Sequence, residues 1–470
     1  MSDSTAEMVL DLVRAAAPAA EAEVLVDARN LGLTRFANSH IHQNVSDSTT
    51  TVSLRLHTDG STATGSTTLV DRDGLRNLVD RVLDAARLSP PDPRWPGLTP
   101  PPARADPAPA APLALAEPDE ATASAPPTER AERVRAFVDA VGGLEAAGYC
   151  HTLGSTVTFA NSAGHSASAR AAEAAIDGIA RDGLADGLAR LSVRRLADLD
   201  GALLGERAAR KARAGRDPVE LPPGRYEVVL EPTAVADVLE MIAIYGLNGK
   251  VVAERRSFVE LGAAQFDPAV SLVDDPAGVD GAAFPFDVEG TPRVRTVFVA
   301  SGVTRAVAHD RRTAARAGTR STGHAVPGGA VMGAFPSSLA LLTPDVDAGA
   351  ASAGAVPGPE ADASVAELVG KVGRGLLVTD NWYTRVLDPR TLVVTGLTRN
   401  GVWLIEDGAV TRPVQNLRFT QSYPLALAPG AVLGVGSVAP TLPASWGATL
   451  SYRAPALRLA AWNYTGNASG

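Results

Sequence analysis

The chain has 470 residues, 45% hydrophobic and 20% charged, enough for two or three domains with cores of their own, which excludes a disordered tail and a small disulfide scaffold. Its 43 basic and 52 acidic side chains leave a net charge of −9, and no basic stripe with interleaved aromatics occurs, so nucleic acid is not an expected partner. The single cysteine, Cys150, cannot close an internal disulfide or build a cysteine-rich metal module, and it suits a reducing, cytoplasmic setting.

The first residues, MSDSTAEMVLDLVRAAAP, carry acids where a secretory signal needs basic residues, and their apolar spacing predicts a folded helix near 5–18. Short β segments follow: EVLVDA, LTRFAN, IHQNVS and TTTVSLRLHTDGSTATGSTT. Val52, Leu54 and Leu56 alternate with Ser53, Arg55 and His57, and Asp59-Gly60 supplies hairpin turn chemistry, so an antiparallel meander with one wet face is expected. DRDGLRNLVDRVLDAARL has helical spacing. Residues 89–128 hold thirteen prolines and no periodic apolar face, which predicts a mobile insertion. Beyond it the pattern predicts a helix near 128–147, a strand near 155–161, a helical AAEAAIDGIA region and an Arg-rich helix near 200–214. Residues 1–215 therefore read as an N-terminal α+β domain, an antiparallel sheet with helices.

A second domain, 221–470, opens at Leu221-Pro222-Pro223-Gly224. RYEVVLEP reads as a strand and TAVADVLEMIAIYGL as a helix. Then VRTVFVASG, GRGLLVTDNWYTR, TLVVTGLTRNGVWLIEDGAV and ALRLAAWNYTG predict a mainly antiparallel β sandwich or barrel-like unit. Its Ala/Gly/Asp/Pro-rich stretch, 344–364, is expected to be a flexible loop. No charged residue occurs between Arg418 and Arg453, but Pro424, Pro429, Pro440 and Pro443 would break a spanning helix, so short buried strands are expected and no membrane span.

Common chemical motifs fail on inspection. Gly249-Lys250 is followed by Val251, which spoils a phosphate loop, and GVGSVA at 434–439 runs into Pro440 where a dinucleotide-binding helix should begin. No G-x-S-x-G elbow occurs, and adjacency of Cys150 to His151 is no sign of a catalytic pair. The histidines (His40, His42, His57, His151, His165, His309 and His324) include no two at the spacing by which one helix face holds zinc; His40 and His42 could share a strand face but lack an acid partner.

Several strings, in order from residue 35 to about 420, resemble the TldD/PmbA family, bacterial and archaeal proteins associated with zinc-dependent proteolysis. They are RFANSHIHQN, VTFANSAGHSAS, PPGRYEVVLEPTAVADVLEMI, FPFDVEGTPRVRTVFVASGV, TAARAGTRSTGHA and NGVWLIEDGAVTRPVQNLRFT. In that family the TldD-like kind carries His-Glu-x-x-x-His on the helix after the strand, with a later cysteine ligand. The PmbA-like, or TldE-like, kind lacks them. Here the helix reads ADVLEMIAIYGL; with Glu240 at the glutamate position, Leu239 and Ile244 stand where the histidines would be, and RFTQSYPLALAPG has no cysteine. The resemblance thus implies a metal-free subunit with no catalytic residue or cofactor of its own. Zinc would sit in a TldD-like catalytic partner, and the pair would take an extended peptide, unfolded or leader, by strand addition.

Asn161 and Ser162 suit a turn, Asp287, Glu289 and Arg295 an ion-pair network around Gly290, and His324 the Ser-Thr-Gly-His turn; these six are also the candidates for peptide or partner contact. Two other readings stay open: a self-sufficient metallopeptidase rebuilt from His165, His309 or His324 with carboxylates, and a non-catalytic peptide-binding homodimer.

Overall fold

A computed structural model describes residues 2–101, 113, 115–344, 346, 358–443 and 450–468. In chain order the first six strands are β1 (Glu21–Ala37), β2 (His40–Thr58), β3 (Ser61–Thr67), β4 (Glu145–Asn161), β5 (Ser166–Asp182) and β6 (Ala185–Val193). They form one antiparallel sheet in the order β3-β2-β1-β4-β5-β6. Tight turns set this meander. Asn38 and Ser39 (φ 49° and 62°) join β1 to β2, and Asp59 and Gly60 (φ 50° and 80°) join β2 to β3, the positive φ pair that a two-residue hairpin requires.

Helices cover one face. Val24, Val26, Val52, Leu54 and Leu56 pack under Leu75, Leu78, Val79, Val82 and Leu83 of helix Arg72–Leu88 and under Val9 and Val13 of helix Ser2–Ala16. Asp71 caps the longer helix by accepting from the Gly74 N–H at 2.8 Å. The far half of the sheet packs Ala174, Ile176, Ala180 and Leu191 against helices Pro127–Ala140 and Gly201–Ala214.

AAEAAIDGIA, expected to be helical, lies in β5. Its small side chains serve close approach instead of helix formation: a Cβ at Gly178 would fall 2.7 Å from the Phe137 ring of the covering helix. The predicted helix 128–147 ends at Ala140, and β4 begins at Glu145. Part of the proline-rich segment is also tied down, unlike a solvated excursion. Trp95 stacks on His57 at 4.9 Å and donates to Glu21 at 2.5 Å, Arg312 pairs with Asp92, and Thr99 and Thr122 are buried. Residues 102–112 and 114 of that segment, and 345 and 347–357 of the loop 344–364, lie outside the described residues; Glu360–Val369 is a helix.

The second half contains β7 (Gly224–Leu230), β8 (Leu272–Asp274), β9 (Thr296–Ala300), β10 (Val303–Thr304), β11 (Leu339–Leu341), β12 (Arg374–Asp388), β13 (Val393–Glu406), β14 (Ala409–Pro413), β15 (Leu417–Ser422), β16 (Val432–Val435), β17 (Thr441–Pro443), β18 (Ser451–Arg453) and β19 (Leu457–Asn467). The order β12-β7-β19-β15-β13 closes on itself because β13 also pairs with β12, so this part is a barrel, with β14 and β16 attached to β13 and β19. A second sheet runs β10-β9-β8-β11-β18-β17. Helix Pro232–Met241 touches both layers, and its Val235, Val238 and Leu239 share a core with Phe419 and Trp462 of the barrel and with Leu272 and Phe298 of the sheet. The fold is thus α+β, with an antiparallel N-terminal sheet and a β-rich C-terminal half. No helix among the described residues is long and apolar enough to cross a membrane.

Candidate functional site

With helices on one face of the N-terminal sheet, the other face is left to meet the C-terminal half, and between them lies a cleft of about 1260 Å³. Alternate residues of β1, from Glu23 through Leu25, Asp27 and Arg29 to Arg35, form its floor with Thr51 and Arg55 of β2 and Tyr149 and His151 of β4. Val288, Glu289 and the segment 325–330 form the opposite wall. β1 and β4 are paired on both sides along the floor, but β3 covers only Val52–Thr58 of β2, so among the described residues the outer edge of β2 from His40 to Thr51 has no strand partner. Side chains, and this open stretch of β2 at Asp47, Thr49 and Thr51, are what the floor offers a ligand. His151 is held there by Glu173 at 3.1 Å, and Glu173 also accepts the Ala282 N–H at 2.8 Å.

One end of the cleft is an acid and arginine knot that fastens the two halves. Arg55 pairs with Glu289 at 2.8 Å and with Glu23 at 2.5 Å, and its guanidinium lies 5.2 Å from the Trp95 ring centroid. The other Glu289 oxygen accepts the Arg311 N–H at 2.8 Å, and the Arg311 side chain donates to the carbonyls of Pro96, Gly97 and Leu98. Burial pushes the Glu23 carboxyl up to about 7, against the pull of Arg55, and its Oε2 has no hydrogen-bond partner.

The six sequence candidates sort into three structural positions. Asn161 accepts the N–H groups of Ala163 and His165 and donates to the Thr99 carbonyl, and Ser162 exchanges hydrogen bonds with Ala22. Asp287 is buried and accepts from the N–H groups of Glu289, Thr291 and Ala325; burial, with Glu289 nearby, pushes it up to about 8. The two turns meet: His165 lies 2.8 Å from the Gly290 carbonyl, and Thr99 links Asn161 to the Glu289 carbonyl. Gly290 (φ 71°) has room for no side chain, since a Cβ there would stand 2.3 Å from Phe159. Arg295 pairs with Asp275 at 3.2 Å, and His324 lies 3.1 Å from Asp274 and 2.8 Å from Thr322. Of the six, Glu289 alone lines the cleft. Glu23, Arg55, Thr99 and Asp274 join this network without any local sequence signal, because their partners are remote in the chain, the nearest being Arg293 for Asp274.

The helix compared with a zinc-binding one does not suit a metal. Leu239 is buried, Ile244 half-buried, and both are hydrocarbons. Residues five apart sit roughly 140° apart on an α-helix. Ile242–Gly246, however, is a π-helical turn, closed by Leu247 N–H to the Ile242 carbonyl at 2.8 Å, which brings such residues toward one side. The wide turn is present, but nitrogen ligands are not. Beside it, half-buried Asp237 accepts from Tyr423 and Thr384, each at 2.6 Å; loss of solvent around the carboxyl pushes Asp237 up to about 6 and also raises Glu240. No group of three or more His, Cys, Asp or Glu among the described residues is placed to hold a metal. His165, His309 and His324 each have local partners, and Cys150 is buried in the sheet core, where burial pushes its thiol up to about 12.

A family model described as PmbA/TldA metallopeptidase C-terminal domain matches residues 223–466, and one described as PmbA/TldA metallopeptidase domain 1 matches residues 22–86. The chain belongs to the TldD/PmbA family. A curated relative named a metalloprotease, from Methanothermobacter thermautotrophicus, is 27% identical over 128 residues, which span 27% of this chain and 27% of the relative's own length. Solved structures of the same fold cover almost all of it. TldE from Thermococcus kodakarensis superposes with a TM-score of 0.81 at 17% identity, covering 99% of both chains. A protein described as a candidate modulator of a DNA gyrase, from Thermotoga maritima, gives 0.78 at 17% identity over 99% of this chain and 100% of that one. One so described from Bacteroides thetaiotaomicron gives 0.77 at 19% identity over 99% and 98%.

Proposed function

We propose that this chain is the metal-free PmbA/TldE-like subunit of a cytoplasmic TldD/PmbA-type zinc protease complex, paired with a TldD-like subunit that carries the metal and the hydrolytic step. The observation that carries this reading is the pair Leu239 and Ile244 on the π-containing helix, apolar side chains at the two positions where the family's catalytic kind places histidines. Zinc, when held by the partner, would supply an acidified water for peptide hydrolysis. This chain's own share is binding. Its cleft would hold an unfolded or leader peptide against a floor of alternating charged and apolar side chains. Strand addition, expected from sequence, would use the outer edge of β2 between His40 and Thr51, where Asp47, Thr49 and Thr51 line the cleft, and the side chains of the floor would read the rest of the peptide.

Co-expression with a His-Glu-x-x-x-His subunit, followed by native mass measurement, zinc analysis and a peptide hydrolysis assay, tests the proposal. A heteromer whose zinc and activity both require the second subunit is expected. A chain that stays alone, or one that holds stoichiometric zinc and cleaves peptide in a chelator-sensitive way by itself, overturns it.

A further inference from the structure

The β12–β13 hairpin carries an exposed aromatic patch outside the apolar cores. Trp382, Tyr383 and Leu387 are 44%, 62% and 59% exposed and lie together on one hairpin. The backbone is irregular there. The register between β12 and β13 shifts between Trp382 and Arg385 and again between Val386 and Asp388, and Tyr383 sits at φ 54°. A bulky residue in the left-handed region is strained, and bulges of this kind persist where they re-aim side chains for a purpose.

Each aromatic ring also holds an arginine. The Arg399 guanidinium lies 4.5 Å from the Trp382 ring centroid and that of Arg385 lies 4.3 Å from Tyr383. Arg390 is exposed in the hairpin turn, and Arg418 of β15 pairs in register with Leu397, itself opposite Trp382. Stacking restrains the guanidinium planes and so lowers the entropy lost when they meet carboxylates. Trp, Tyr and Arg gathered at the centre of a patch are the residues that dominate binding energy in protein interfaces.

The charge decides the kind of occupant. On a chain of net charge −9 the hairpin presents Arg385, Arg390 and Arg399 with one partly exposed acid, Asp388, since Asp380 is buried, so its surface is locally basic. A second copy docked about a two-fold axis through this patch would set arginines against arginines, which is repulsive. We propose that the hairpin Asp380–Arg399 docks a different polypeptide, the catalytic-type subunit, through an acidic surface with an apolar pocket for Trp382 and Tyr383. This rests on reading the chain as one member of a heteromeric pair.

Two measurements on the full chain test it. In the wild type mixed with the catalytic-type subunit, amide exchange in 380–399 is expected to slow on association, and the heteromer to weaken as salt rises. In W382A/Y383A, with circular dichroism and melting temperature checked, the association constant is expected to drop by about 30-fold or more, the scale of one lost hot spot. R385E/R399E should do the same. A heteromer that forms with unprotected hairpin amides or with undiminished affinity in both variants overturns the docking surface alone. Self-association through this hairpin overturns it too, while failure of the wild types to associate at all overturns the subunit reading with it.

Discussion

Glu23 and Asp274 are both buried carboxylates beside an arginine, yet their protons behave oppositely. Asp274 loses solvation but faces Arg293 at 2.6 Å, His324 at 3.1 Å and the Ser338 N–H at 2.7 Å, and these hold it well below the usual carboxylate range. It therefore contributes stability above its unfolded pKa that is lost as pH falls. Glu23 shares Arg55 with Glu289 and keeps one oxygen unpartnered, so burial prevails and lifts it from 4.5 to about 7. The folded chain then keeps a proton that the unfolded chain releases. Stability from this group is full below pH 4.5 and falls as pH rises toward 7. Glu23→Gln should remove up to about 3 kcal/mol of the stability lost between pH 4.5 and 8, read from urea unfolding at a series of pH values. An unchanged pH profile would place the Glu23 proton elsewhere.

At the scale of elements, the strap from Asp92 to Thr99 is the least expected piece. It runs over the sheet edge, held by Trp95 on His57, by the Asp92–Arg312 pair and by three carbonyls that accept from Arg311. Trp95→Ala should cost about 2 kcal/mol and raise the rate of tryptic cleavage after Arg94 about tenfold or more, while the wild type resists under the same conditions. Equal resistance in the variant would show that the arginines alone hold the strap. Such an element leaves little trace in sequence. Its prolines and polar residues match those of an unfolded linker, and its anchors are remote, His57 upstream and Arg311 and Arg312 more than two hundred residues downstream. Alternation in β2, Asp59-Gly60 and the apolar stripe of Arg72–Leu88 were legible because each is settled by neighbours within a few residues. Most of β5 was not, because alanine favours helices until a covering helix requires small residues beneath it. Asn161, Asp287 and His324 were legible as turn and network residues, whereas the cleft was not, since Glu23, Tyr149 and Glu289 become neighbours only through the fold.

For the whole molecule, the junction between halves is arginine-rich, with two small apolar clusters, Leu153 and Ala171 on Ala282 and Val157 and Phe159 on Phe286. Arg194 donates to the carbonyls of Ala277 and Val279, Arg207 and Arg210 pair with Asp362, Lys211 pairs with Glu231, and Arg311 ties Glu289 to the strap. The main apolar cores on either side are separate. Arg311→Ala should thus cost about 2 kcal/mol and split a single calorimetric transition into two, the sign of halves that no longer melt together. One transition, unmoved, would assign the coupling to the other arginines.

The closed barrel carries a consequence for how the chain is made. β7, its first strand, pairs with β19, its last, across an interval of more than two hundred residues. A ribosome delivering this chain from its N-terminus completes the helix-covered sheet while the barrel seam is still unsynthesised. β7 and β15 must wait with one edge bare until Leu457–Asn467 emerges. The finished sheet beside them is then a surface on which the waiting strands can be held, and loss of the final strand would leave two sticky edges rather than a slightly smaller domain.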